Sequence, residues 1–208
     1  MTPDDQIDAV RRGVTVTESN DALRTVVQIS QSFATTVEDL WDACTDTERL
    51  PRWFAPVSGD LELDGRYQIQ GNASGTITAC HPPNGFSLTW EFAGAISWVE
   101  VAIEADGGDR ARLTLTHTAG GEDRSFWDTY GPGATGVGWD LSFLGLATHL
   151  RDGSSPAQDA ANADLAALAP FMRASSTRWA DAAVEAGTSE EQARGAEQRT
   201  TAFYLGES

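Results

Sequence analysis

GPGATGVGWDLSFLGLATHL, residues Gly131 to Leu150, reads as one long helix, and its reading decides the fold. Pro132 suits the first helical position, because its missing N–H would be unpaired there and its fixed φ is already helical. Val137, Leu141, Leu144 and Thr148 then recur at helical spacing, and Asp140 falls inside the same arc. A carboxylate on a buried face needs a partner. Gly133, Gly136, Gly138 and Gly145 are a second peculiarity, since each interior glycine costs about 1 kcal/mol against alanine. So many glycines predict close approach by another backbone or by a bound molecule, and the sequence leaves both open.

Upstream of that helix the chain reads as strands. Phe86, Leu88, Trp90 and Phe92 alternate with Ser87, Thr89 and Glu91, which predicts one buried and one wet face. The same rule sorts Val99, Val101 and Ile103 from Trp98, Glu100 and Glu104, and Leu113, Leu115 and His117 from Arg112, Thr114 and Thr116. GTITACHPP places Gly75, Ile77 and Ala79 on one side and Thr76, Thr78 and Cys80 on the other. Leu61, Leu63, Tyr67 and Ile69 flank Asp64-Gly65, a hairpin signal. Earlier still, Val27, Ile29 and Phe33 mark a first firm strand, and Thr35 or Thr36 caps a helix burying Val37, Leu40, Trp41 and Cys44. Asp46 to Leu50 reads as a short helix ended by Pro51. Successive strands with short turns favour an antiparallel meander, and its apolar face needs the long helix as cover.

Residues 1–22 are acidic and weakly patterned, with Val14 and Val16 alternating as in an edge strand or lying in a disordered arm. Residues 23–151 form the main domain, and 152–208 a helical extension packed on it. Its start, DGSSPAQDAAN, reads as a linker. Leu165 and Leu168 lead to Pro170, which opens a helix through Trp179 to a stop at Gly187, and Thr188-Ser-Glu-Glu191 reads as a capping box before a last helix.

Composition narrows the function. The chain has 208 residues and 14 Lys+Arg, all arginine, against 31 Asp+Glu, for a formal net charge of -17. Such a surface repels phosphate backbones and anionic lipid, which argues against nucleic-acid or membrane partners. Mean hydropathy is -0.31, and no apolar run is long enough to span a membrane. MTPDDQIDAVRRG lacks an apolar leader, so the cytoplasm is the expected compartment. Cys44 and Cys80 form no C-x-x-C pair and read as free thiols, and with three His and no H-E-x-x-H spacing no metal site and no cofactor are expected.

Three stretches carry a resemblance: VEDLWDACTDTERLPRWFAPVSGDLELDGRY, GTITACHPPNGFSLTWEF and GPGATGVGWDLSFLGLATHL. In order and spacing, from about Val27 to Leu150, they resemble the START-like SRPBCC superfamily, and within it the branch named for activators of the ATPase of heat-shock protein 90. FMRASSTRWADAAVEAG and AEQRTTAFYLG are similar to the extension of a bacterial subgroup. The resemblance implies an α+β helix-grip fold (START-like, Bet v-like), a curved antiparallel sheet wrapped around a long C-terminal helix. It also implies a cavity between them that in many relatives holds a small hydrophobic molecule. Some distant relatives are polyketide cyclases or lipid carriers. The eukaryotic namesakes stimulate a chaperone with an additional N-terminal domain that is not recognised in these residues.

Trp53, Tyr67, Ile77, Trp90, Leu115, Leu141 and Leu144 are the candidate ligand-lining residues, with ordinary core packing as the alternative. His117 and Asp140 stand on apolar faces, and pairing them would orient the imidazole as a general base or ligand anchor. Element rises leave their direct contact undecided. Tyr67 has a hydroxyl that points into the pocket or to its rim. Asp123, Trp127 and Asp128 fall in a loop at the cavity mouth, where a lid would lie. Arg66, Glu91, Glu104 and Arg112 read as outward, solvated charges. Three functions follow: binding of a small hydrophobic or aromatic molecule, cyclase- or hydrolase-like catalysis by His117, Asp140 or Tyr67 in the same pocket, and a chaperone-interaction module, which is the least favoured. A homodimer through the helical tail or a free sheet edge is compatible with the pattern.

Overall fold

The computed structural model describes residues 3–19, 22–155 and 165–207. Their elements are α1 (Pro3–Ala9), β1 (Arg11–Ser19), β2 (Ala22–Phe33), α2 (Val37–Thr45), α3 (Leu50–Trp53), β3 (Val57–Gly59), β4 (Arg66–Ile69), β5 (Ser74–His81), β6 (Gly85–Phe92), β7 (Ala95–Ala105), β8 (Ala111–Gly121), α4 (Ser125–Tyr130), α5 (Gly133–Asp152), α6 (Leu165–Glu185) and α7 (Glu190–Leu205). Among these residues the strands form one sheet in the order β1-β2-β8-β7-β6-β5-β4-β3, antiparallel at every pair from β3 to β8 by way of β7. With one long helix and further helices behind it in sequence, this is the α+β helix-grip class. Most of the expected linker, residues 156–162, lies outside the described residues.

Two compact units divide the chain, and neither is continuous in sequence: Met1–Ile29, Gly120–Leu144 and Ala163–Ser208 make one, Ser30–Ala119 and Gly145–Asn162 the other.

The second unit is built on β3 to β8. Val99, Val101, Ile103, Leu113 and Leu115 are buried, as the alternation predicts. In β5 the register shifts between Ile77 and Ala79, so that Ile77 pairs with Leu88 and Cys80 with Phe86. The extra residue, Thr78, is a β-bulge, and it moves Cys80 to the face of Ile77, not the opposite face that strict alternation requires. Phe92, predicted inward, is 54% exposed. The two-residue turn of Ala93 (φ 51°) and Gly94 (φ 82°) starts beside it and ends the buried stretch. Leu61 and Leu63 lie in a loop that closes where the Asp60 N–H donates to Arg66 O (2.9 Å), and the strand facing β4 is β3. Thr36 caps α2 by accepting from the Asp39 N–H (3.2 Å). Helix α3 begins at Leu50 with Pro51 in its first turn, so the proline starts this helix where the sequence reading has it end one. Arg49 then ties α2 and α5 together: it donates to Asp39 (2.8 Å) and Asp42 (2.9 Å) and to His149 Nε2 (3.4 Å).

The first unit gathers the two ends of the chain around the beginning of α5. Helix α6 begins upstream of Pro170, at Leu165, with the proline inside it. It ends at Glu185, and Gly187 (φ 98°) follows, with the Thr188 N–H donating to Ala183 O (2.9 Å) in the pattern that glycine permits. The cap of α7 is Ser189, which accepts from Gln192 N–H, one residue later than the Thr188 box predicted. Tyr204 closes the unit by donating to Ala134 O (2.6 Å), and Thr200 does so to Tyr130 O (3.0 Å).

Candidate functional site

Residues directly opposite each other across strands share a face. In the second unit one such row runs Ile77, Leu88, Val99, His117, and the next runs Cys80, Phe86, Val101, Leu115. Trp90 joins them by alternation in β6, and its ring lies 5.8 Å from that of His117. Val99, Val101, Leu115 and His117 on this face are buried, whereas Ile77, Phe86, Leu88 and Trp90 are only half-buried. An apolar face is therefore closed over at one side and accessible at the other.

Polar groups on this face are few. The Ser97 hydroxyl lies 2.7 Å from His117 Nε2 and 3.3 Å from Trp90 O. The direction of the bond between Ser97 and His117 follows the tautomer of the ring. Burial lowers the His117 pKa to about 4, so the ring is neutral near pH 7. Tyr67 sits opposite Gly75, and its hydroxyl donates to Thr89 O (2.7 Å). Burial raises the pKa of this phenol above its ordinary value. Trp53 is half-buried and donates through Nε1 to Ala43 O (2.9 Å), while its own carbonyl stands 2.4 Å from where a Gly145 Cβ would be. Cys44 is held as a thiol, its pKa pushed up to about 12 by burial.

Asp140 stands in the other unit, with Leu141 and Leu144 half-buried beside it on α5. Its carboxylate is fully buried and takes Arg12 Nη2 on Oδ1 (2.8 Å), then Arg12 Nε (3.0 Å), the Ser175 hydroxyl and Trp179 Nε1 (2.9 Å) on Oδ2. Arg12, 6% exposed at its side chain, also donates to Ile7 O (3.0 Å) and Val10 O (3.2 Å). Its guanidinium lies 6.0 Å from the Trp179 ring centre. Sequence periodicity anticipates a buried Asp140 with a partner and offers His117. The structure assigns these partners to it, from the N-terminal arm and α6, and Ser97 to His117. A buried pair with two parallel bonds and every oxygen satisfied is what makes such burial tolerable.

The helix glycines have the same destination. A Cβ on Gly136 would lie 2.2 Å from the Trp179 ring, one on Gly133 2.9 Å from Thr200, and one on Gly138 3.0 Å from the Tyr204 hydroxyl. Close approach by side chains of α6 and α7, and by the Trp53 backbone at Gly145, explains these four positions. Trp127 and Asp128, expected in a loop, lie on the short helix α4. Among the described residues no group of three or more His, Cys, Asp or Glu side chains is placed to hold a metal ion, and no helix is long and apolar enough to cross a membrane.

A family model described as Activator of Hsp90 ATPase homolog 1-like protein matches residues 34–151. No curated protein matches the chain. Among solved structures, the crystal structure of CalU16 from Micromonospora echinospora is 26% identical, covers 84% of this chain and 98% of that chain, and superposes with a TM-score of 0.65. The solution structure of CalU16, also 26% identical, covers 96% and 97% with a TM-score of 0.61. DynU16, a protein in the dynemicin biosynthetic locus, shares the fold at 20% identity and a TM-score of 0.54 over 62% of this chain and 48% of that chain. The matched residues make up more than half of the sequence, and the chain belongs to the family of Activator of Hsp90 ATPase homolog 1-like proteins.

Proposed function

We propose that the protein binds a small hydrophobic or aromatic molecule on the apolar face formed by Ile77, Phe86, Leu88 and Trp90, with Trp53 and Leu115 completing the surface and His117 as the polar anchor. The observation that carries this reading is the incomplete burial of four large apolar side chains on a face whose Val99, Val101 and Leu115 are buried. A filled core would bury them all, whereas ligand sites are lined mostly by such residues with few polar groups. With its ring neutral, His117 places an uncharged polar group among these apolar side chains.

Native mass spectrometry of protein purified from its host tests this directly, together with binding of the neutral dye N-phenyl-1-naphthylamine. A co-purifying molecule or saturable dye binding weakened about tenfold by Trp90→Ala is expected, since burying one aromatic side chain is worth about 1.5–3 kcal/mol. Absence of both, or dye binding indifferent to Trp90→Ala, overturns the proposal.

A second reading draws on Ile96 and Trp98, which are 55% and 50% exposed on the outward side of β7. Two large apolar side chains on a wet face suit a protein partner, and stimulation of a heat-shock protein 90 ATPase lost in Trp98→Ser is its test. Proton-transfer catalysis draws less support, because Tyr67 and Asp140 spend their polar atoms on internal bonds.

A further inference from the structure

The first unit contains a groove of about 710 Å³, formed by α4, α6, α7, the start of α5 and the edge of β1. That volume is in the range of small-molecule sites. Its floor is made of small side chains: Ala180, Ala183 and Ala193 pack together where α6 meets α7, and Ala196 continues the row. Trp127 and Tyr130 of α4 form an aromatic wall. Nothing in the sheet-side site uses these residues.

The charges at its border do not balance. Arg124 is shared by Glu18 (2.8 Å) and Asp128 (3.7 Å), and Arg194 by Asp181 (2.7 Å) and Glu197 (2.9 Å). Of the charged side chains that line the groove three are acidic and Arg124 is basic, so its lining carries an excess negative charge. Glu18, Asp128 and Glu197 all line it. Aromatic faces and surplus carboxylates attract the same kind of group, an organic cation with an apolar body. The net charge of -17 draws such ions toward the protein and repels anions.

We propose that this groove is a second binding site, for a flat apolar or aromatic molecule bearing a protonated amine. The ring system lies on the alanine floor against Trp127, and the ammonium sits beside Glu18 and Asp128. This site is independent of the sheet-side proposal and shares no residue with it.

Three probes of one shape test it: 1-naphthylmethylamine, 1-naphthalenemethanol and 1-naphthoic acid, titrated by amide NMR into the full-length protein. The amine is expected to bind several-fold more tightly than the alcohol, the acid least, with shifts confined to α4, α6 and α7. Glu18→Gln with Asp128→Asn should erase the advantage of the amine, and raised salt should do the same. Both side chains are exposed, so the variant folds as the parent does. Ala186→Phe, at an exposed position on the groove wall, should weaken all three probes, while N-phenyl-1-naphthylamine binding at Trp90 stays unchanged. Equal affinity for amine and alcohol, no binding of the amine, or shifts elsewhere in the chain would each overturn the proposal.

Discussion

The indole of Trp179 occupies the space in which a Cβ on Gly136 would stand, 2.2 Å from its ring atoms. Helix propensity favours alanine over glycine by about 1 kcal/mol. The fully buried Trp179 cannot retreat without losing its bond to Asp140, so the clash decides the sign. Gly136→Ala should destabilise the protein by about 1–3 kcal/mol in urea unfolding. Combined with Trp179→Ala, it should cost less than the sum of the two single changes.

Arg12 and Asp140 bind each other through two parallel bonds in a buried setting. Removing one partner strands the other charge without water, which typically costs about 3–5 kcal/mol. Asp140→Ala and Arg12→Ala should each show that loss, and the double variant should recover part of it. Calorimetric unfolding checks this, and additive losses would refute the coupling.

His117 gives a pH dependence with a definite sign. Burial holds its folded pKa at about 4 against an ordinary value near 6.5, so the unfolded chain takes up the proton first as pH falls. Its contribution is complete above pH about 6.5 and lost as pH drops through about 4, at about 1.4 kcal/mol per pH unit across that window. Replacing it by Gln should flatten the slope of stability against pH there, relative to the parent.

Tyr67→Phe should cost about 1 kcal/mol, the worth of one hydrogen bond to Thr89 O. Dye binding at Trp90 should be unchanged, since the hydroxyl is turned to the sheet backbone. A large loss of binding with stability intact would restore Tyr67 as a ligand contact.

Much of this architecture is legible from periodicity. The alternation of Val99, Val101 and Ile103 and of Leu113, Leu115 and His117 fixes which side chains are buried, because a strand offers its residues two faces. The bulge at Thr78 is not legible, since no glycine or proline marks it. Asp140 shows the same limit at longer range. Its place on α5 announces a buried charge, but the partners lie 128, 35 and 39 residues away, beyond any local pattern. The groove is less visible still, because alanines at helical spacing read as packing, and an unfilled space leaves no residue to record it. Of the sheet-side candidates, Ile77, Trp90, Leu115 and His117 share a face as their spacing implies, whereas the Ser97 hydroxyl on His117 follows from strand register alone.

The mixed origin of the first unit has a consequence for biosynthesis. Arg12 leaves the ribosome before the whole of the second unit, yet Ser175 and Trp179, which complete the carboxylate's set, emerge only after it. Domains generally fold as units, so the second unit, complete at Asn162, has all its strands before the first has its core. The arm that carries Arg12 waits while the second unit is made, with its apolar positions uncovered. A stop codon just before Ser175 would therefore yield a chain with a buried-type carboxylate and an arginine-bearing arm that lack the side chains meant to join them, a natural substrate for quality control.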